Sequence, residues 1–129
     1  AFLRIKLRHL KNENNKRIEI ARKYNSNIVN PKIKLPSFNE ANNSLEHVFH
    51  IYAVRSKERE KLQDYLRENN IETIIHYPIP PHRQLAYKDK NWGSFFLTEK
   101  IHCEVLSLPN GPHLNDEAVT QIVKAVNSF

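Results

Sequence analysis

Apolar and polar residues alternate in two distinct rhythms along this chain. The opening "AFLRIKLRHL" places Leu3, Leu7 and Leu10 at i, i+4 and i+7, the spacing of one helix face. The spacing predicts a helix from the first residue to about Tyr24, with no Ser, Thr, Asp or Asn ahead of it as a cap. A polar segment punctuated by Pro31 and Pro36 follows and reads as a connector, with a short extended piece around Ile33 to Leu35. At "HVFHIYAVR" (47–55) the rhythm changes to β-branched and aromatic residues with a period of two. Phe49, Ile51 and Ala53 then form one apolar face that should meet the domain's own helices. Val48, His50, Tyr52 and Val54 form a second face with polar tips.

Ser56 opens a predicted helix to about Asn69, with Leu62, Tyr65 and Leu66 as its buried stripe and the Asn69–Asn70 pair as a left-handed C-terminal stop. "IETIIHY" (71–77) is the next predicted strand. "LTEKIHCEVL" (97–106) reads as a short helix starting near Thr98, and the "SLP" after it as a third strand. The last helix is the best marked. Asn115 caps it, Asp116 and Glu117 occupy its first turn, Leu114 staples onto Val119, and Val119, Ile122, Val123 and Val126 share its inner face. The order predicts an α/β chain of the α+β two-layer kind: a long N-terminal helix, then a small three-stranded sheet with helices on one face. The expected divisions are 1–24 for the first helix, 25–45 for the connector and 46–129 for the small domain.

Composition narrows the classes. At 129 residues, 40% hydrophobic and 26% charged, the chain has the balance of a folded domain. No apolar run approaches the ~20 residues of a membrane span, so no membrane role is expected. Cys103 is the only cysteine, which excludes an internal disulfide and suits a reducing, cytoplasmic setting. Gly93 and Gly111 stand apart in loop-like sequence and make no phosphate-cradling loop. The net charge of +6 lies wholly in residues 1–24, which hold eight basic and two acidic residues. Such a helix could meet a polyanion. Without aromatic interleaving or a nucleic-acid motif, it reads better as a solvated or subunit-facing helix, and no nucleic-acid partner is expected.

Seven histidines raise a metal question. His47 and His50, three apart on a strand, point to opposite faces. His76 and His82 flank a proline-stiffened loop with no evident carboxylate or cysteine beside them in sequence, and Cys103 lacks the paired spacing of a zinc site. No metal site is expected. Cys103, between Ile101 and Val105, reads as a small apolar core thiol. Glu99, Glu104, Asp116 and Glu117 read as caps and exposed helix faces. What remains is "IHYPIPPH" (75–82), where Pro78, Pro80 and Pro81 fix three φ angles and hold their neighbours extended. A loop of this kind either presents His76 and Tyr77 to a ligand or forms a rigid crossover with Tyr77 packed. The Tyr77–Pro78 bond is expected to be trans.

Four segments in order, the opening "AFLRIKL", "HVFHIYAVRSKEREKLQDYLRENNIET", "IHYPIPPHRQLAY" and "TEKIHCEVLSLPNGPHLNDEAV", resemble the C-terminal part of DegT/StrS-type sugar aminotransferases, fold-type I pyridoxal-phosphate enzymes. The resemblance implies transfer of an amino group, usually from glutamate, to the keto carbon of a nucleotide-linked deoxysugar, as in the synthesis of cell-surface polysaccharides. It implies homodimers, and a cofactor lysine and an acid at the pyridine nitrogen that both lie in the large domain upstream. No residue of this chain is therefore assigned to catalysis or cofactor binding, and 129 residues alone are expected to hold no pyridoxal phosphate and to be inactive. His76 and Tyr77 are the expected substrate contacts, Arg83 a candidate for diphosphate, and His50 and Tyr52 candidates for packing against the large domain. The absence of methionine and of a helix cap fits a chain cut from a longer one. A non-catalytic regulatory member of the same family and an independent basic nucleic-acid module are the competing functions.

Overall fold

The computed structural model describes residues 2–37 and 47–129. Helix α1 spans Phe2–Asn27, strand β1 Tyr52–Arg55, α2 Arg59–Glu68, α3 Phe96–Glu104, β2 Val105–Leu108 and α4 Asp116–Ser128. Two short 3₁₀ turns, Pro81–Arg83 and Leu85–Tyr87, lie between α2 and α3. The chain is mixed helix and strand, as expected, with a smaller sheet than expected.

β1 and β2 pair antiparallel, with Tyr52 opposite Leu108 and Val54 opposite Leu106. The third expected strand, 71–77, contributes one bridge, Ile74 to Ser107. Pro78 and Pro80 bring the chain into its loop before a ladder can lengthen, because proline offers no amide donor. On the far side Lys34 bridges Arg55, with both amides and carbonyls engaged at 2.8 and 2.9 Å. This is the extended piece expected near Ile33 to Leu35. The rest of the connector, 38–45, and Glu46 lie outside the described residues. β2 therefore runs through the middle of the sheet, and all four of its residues are buried.

The faces of the first strand are the reverse of the expectation. Tyr52 and Val54 are fully buried, whereas Ile51 is exposed and Ala53 half-buried. Phe49 has φ 47°, in the left-handed region. That turn breaks the period of two, so Phe49 and Tyr52, of opposite parity, both enter the core with ring centres 6.1 Å apart. Tyr52 keeps its polar tip by donating from its hydroxyl to Asn25 Oδ1. The second sheet face carries Ala53, Arg55, Val105 and Ser107, two of them polar.

The core joins α1, α2 and α4 to the sheet: Ile20, Ala21 and Tyr24 from α1, Leu62 and Leu66 from α2, and Val119, Ile122, Ala125 and Val126 from α4. Tyr24 is fully buried and donates to the Pro109 carbonyl at 2.8 Å. Burial drives both tyrosine hydroxyls, Tyr24 and Tyr52, well above the ordinary phenol range. The α4 cap is as expected, Asn115 accepting from the Ala118 amide, and Lys23 of α1 reaches Asp116 in its first turn at 2.8 Å. Asn70 ends α2 at φ 59°, the expected left-handed stop. Ser56 serves the turn just before α2, accepting from the Glu58 amide at 3.2 Å, and the helix itself starts at Arg59.

α3 ends two residues earlier than expected, because Val105 and Leu106 pair with β1. Cys103 is exposed, not a core thiol. Ile101, His102 and Glu104 beside it on α3 are half-buried, Glu104 through its bond from Arg55. Large apolar side chains are also exposed on the first three turns of α1 (Phe2, Leu3, Ile5, Leu7, Leu10) and across the 85–97 lobe (Leu85, Trp92, Phe96, Leu97).

Candidate functional site

The loop 75–83 leaves the Ile74 bridge and ends in the first 3₁₀ turn. Its first polar side chain, His76, is held against the sheet: Nδ1 lies 2.9 Å from Ser107 Oγ on the second face of β2. His76 and Ser107 share the wall of an open cleft of ≈ 830 Å³ with Thr73, Ile74, His50 and Asn110. The cleft's far side is formed by Gln63 and Arg67 of α2 and Gln121 of α4. His50 therefore faces this cleft, whereas Tyr52 is in the core.

Tyr77 is 66% exposed, its ring edge-on to His76 at 5.6 Å and 89°. The packed crossover that the sequence left open is not what forms: the Tyr77 side chain is exposed. Among the described residues the one cis peptide bond joins His76 to Tyr77, and Tyr77–Pro78 is trans. The Tyr77 carbonyl accepts from His102 Nδ1 at 2.5 Å. A carbonyl can only accept, so the His102 proton sits on Nδ1. The His102 carbonyl in turn accepts from Arg59 Nη1 at 2.6 Å.

Arg83 lies in the first 3₁₀ turn, away from the cleft. Contrary to expectation, His82 has a carboxylate partner: Nε2 donates to Glu99 Oε1 at 2.9 Å, and the His82 side chain is only 9% exposed, edge-on to Phe95. Glu99 was expected on an exposed helix face. It also accepts from Arg83 Nη2 at 3.1 Å and Nε at 3.3 Å, and reaches back to the Phe95 amide at the start of its own helix. The bond from His82, and then that from Arg83, hold its carboxyl down to about 2. Distance along the chain hid this partnership, since Arg83 and Glu99 are sixteen positions apart. The available signal was that Glu99 and His102 share one helix face at i, i+3.

Loop, cleft and α3 together can bind and orient a ligand. Among the described residues no group of three or more His, Cys, Asp or Glu could hold a metal ion. The carboxylates Glu104 and Asp116 are occupied by Arg55 and Lys23.

A family model described as the DegT/DnrJ/EryC1/StrS aminotransferase family matches residues 1–127. A dTDP-3-amino-3,6-dideoxy-alpha-D-galactopyranose transaminase of Aneurinibacillus thermoaerophilus is 48% identical over all of this chain, which covers 35% of that protein. The Saccharopolyspora erythraea erythromycin biosynthesis sensory transduction protein EryC1 is 37% identical over 99% of the chain and 35% of its own length. Among solved structures, S. venezuelae DesV in complex with a ketimine intermediate superposes with a TM-score of 0.91 at 35% identity, over 99% of this chain and 34% of that one. The chain thus spans about a third of the length of the relatives it matches.

Proposed function

The chain belongs to the DegT/DnrJ/EryC1/StrS aminotransferase family, and we propose that it forms the acceptor-facing part of an enzyme that moves an amino group from glutamate to the keto carbon of a nucleotide-linked deoxysugar. The observation that carries this reading is the presentation of His76 and Tyr77: one buttressed by Ser107 at the wall of a cleft, the other exposed beside it on a proline-stiffened loop. With Nδ1 engaged, His76 offers Nε2 to a sugar hydroxyl, and the Tyr77 ring offers an apolar face to a sugar or base. Arg83 would attract a diphosphate. Its pairing with Glu99 offsets part of that charge, so its contribution is the smallest of the three.

Pyridoxal phosphate, which the family implies, supplies an electron sink when bound and requires an amine of lowered pKa. No lysine lines the His76 cleft. Lys23 and Lys61 are instead raised in pKa, Lys23 chiefly by its bond to Asp116 and Lys61 by its bond to Glu58. In this reading the cofactor's amine comes from the rest of the enzyme, and this chain's own part is binding and positioning. The exposed apolar residues of α1 and of the 85–97 lobe suit a chain covered by the rest of a cytoplasmic homodimeric enzyme.

The test uses the complete gene product with pyridoxal phosphate, glutamate and a set of nucleotide-linked 3- and 4-keto sugars. 2-Oxoglutarate should accumulate beyond one equivalent per cofactor only when a keto sugar is present. In that enzyme Tyr77→Ala should raise KM for the sugar nucleotide about tenfold, the cost of one lost contact, with the cofactor absorbance unchanged. An unaltered KM would take Tyr77 out of the site.

A further inference from the structure

We infer that Glu99 and His102, one turn apart on α3, are positioning residues that hold the two ends of the 77–83 loop and so set where Tyr77 stands for the sugar nucleotide. The inference rests on the acceptor-binding role proposed for that loop.

His102 takes the loop's entry, donating to the Tyr77 carbonyl, and is itself tied to α2 through Arg59. Glu99 takes the loop's exit, accepting from both His82 and Arg83. Between these two anchors lie Pro78, Ile79, Pro80 and Pro81. None of the three prolines can donate a backbone hydrogen bond, and Ile79 is 52% exposed. The prolines make the segment stiff, and its backbone bonds, from the Arg83 amide to the Pro80 carbonyl and from the Gln84 amide to the Pro81 carbonyl, stay within the turn itself. A stiff segment fixed at both ends has one placement, whereas the same segment released at one end swings as a unit and carries Tyr77 with it. The anchors are well made. His82 is nearly buried against Phe95, and Glu99 is charged when it accepts, which gives a stronger bond than a neutral pair. The polar atoms of Glu99 and His102 are engaged by the loop itself, so both act through it.

The experiment compares Glu99→Ala, His102→Leu and His102→Asn in the complete enzyme, with Tyr77→Ala alongside. Asparagine keeps an N–H donor where His102 has Nδ1, so it should restore what leucine loses. The two half-reactions are measured separately. Amination of the cofactor by glutamate does not involve the sugar, and transfer to the sugar nucleotide does. His102→Leu should raise KM for the sugar nucleotide roughly tenfold, and Glu99→Ala should raise it by less, because it also frees the Arg83 charge, while kcat and the glutamate half-reaction stay within about twofold. His102→Asn should return KM to near the parent value.

If Tyr77→Ala weakens the acceptor and neither α3 variant does, the anchoring role is wrong and the loop's binding role stands. If Tyr77→Ala has no effect, the binding role fails and the anchoring role falls with it. An equal loss in both half-reactions would mark the α3 residues as general supports of the fold and overturn the inference. Should Glu99→Ala not fold, the His102 leucine–asparagine pair decides the matter alone.

Discussion

Glu99 shows how one side chain can take on several partners at once. Its carboxylate meets His82, Arg83 and the Phe95 amide, and its pKa falls from the usual 4.5 to about 2. A carboxyl whose folded pKa is depressed contributes stability that is present above its unfolded value and lost as pH falls toward the folded one. The expected outcome is an acid limb of the stability curve between about pH 4.5 and 2 that is shallower in Glu99→Gln than in the parent, read by denaturant unfolding at a series of pH values. Glu58, Glu60 and Asp116 are lowered in the same direction by their own cations, so the limb should shrink and not vanish. Superimposable curves would mean that the Glu99 bonds do not couple to folding. The sequence showed Glu99 as a helix residue of ordinary spacing. Its partners come from a loop that folds back sixteen positions, which no periodicity records.

At the scale of elements, those with strong local signals formed where the pattern put them. α4 has its Asn115 cap, its acidic first turn and its buried Val119, Ile122 and Val126. Asn115→Ala should cost about 1 kcal/mol by equilibrium denaturation with an unchanged denaturant slope, because one orphan amide loses its acceptor. A cost near zero would show that Lys23 and the packing of α4 on α1 hold that end without the cap. Short strands were less legible. The segment 71–77 is as β-branched as a strand, yet a strand needs a partner along its length, and the prolines cut the pairing to one bridge at Ile74. β1 was found in the right place with its faces exchanged, since its period of two holds only while the backbone stays extended and Phe49 does not. Val105 and Leu106 suit a helix or a strand equally well, and pairing with β1 decided between them.

For the whole molecule, the consequence is one core built around a two-stranded sheet. Leu106 sits at its centre, fully buried opposite Val54. Leu106→Ala should destabilise the chain by about 2–5 kcal/mol, the range for cavities left in close-packed interiors, in a single transition seen alike by circular dichroism and by Trp92 fluorescence. Separate transitions would show that the 85–97 lobe melts apart from the core. By itself the sequence determined that the helices exist, the Asn115 cap and the Asn70 stop, the stiff loop and the family resemblance, because each is written in neighbouring residues through spacing, hydrogen bonding to the nearest amides and the fixed φ of proline. The starts of α2 and α3 were not written so, since neither carries a side-chain cap. Only the tertiary structure decided which face of β1 is inside, that His76 rests on Ser107, and that α3 grips the loop at Tyr77 and at His82 and Arg83. Those outcomes depend on distances between residues far apart in the chain, which come into being only when the core closes.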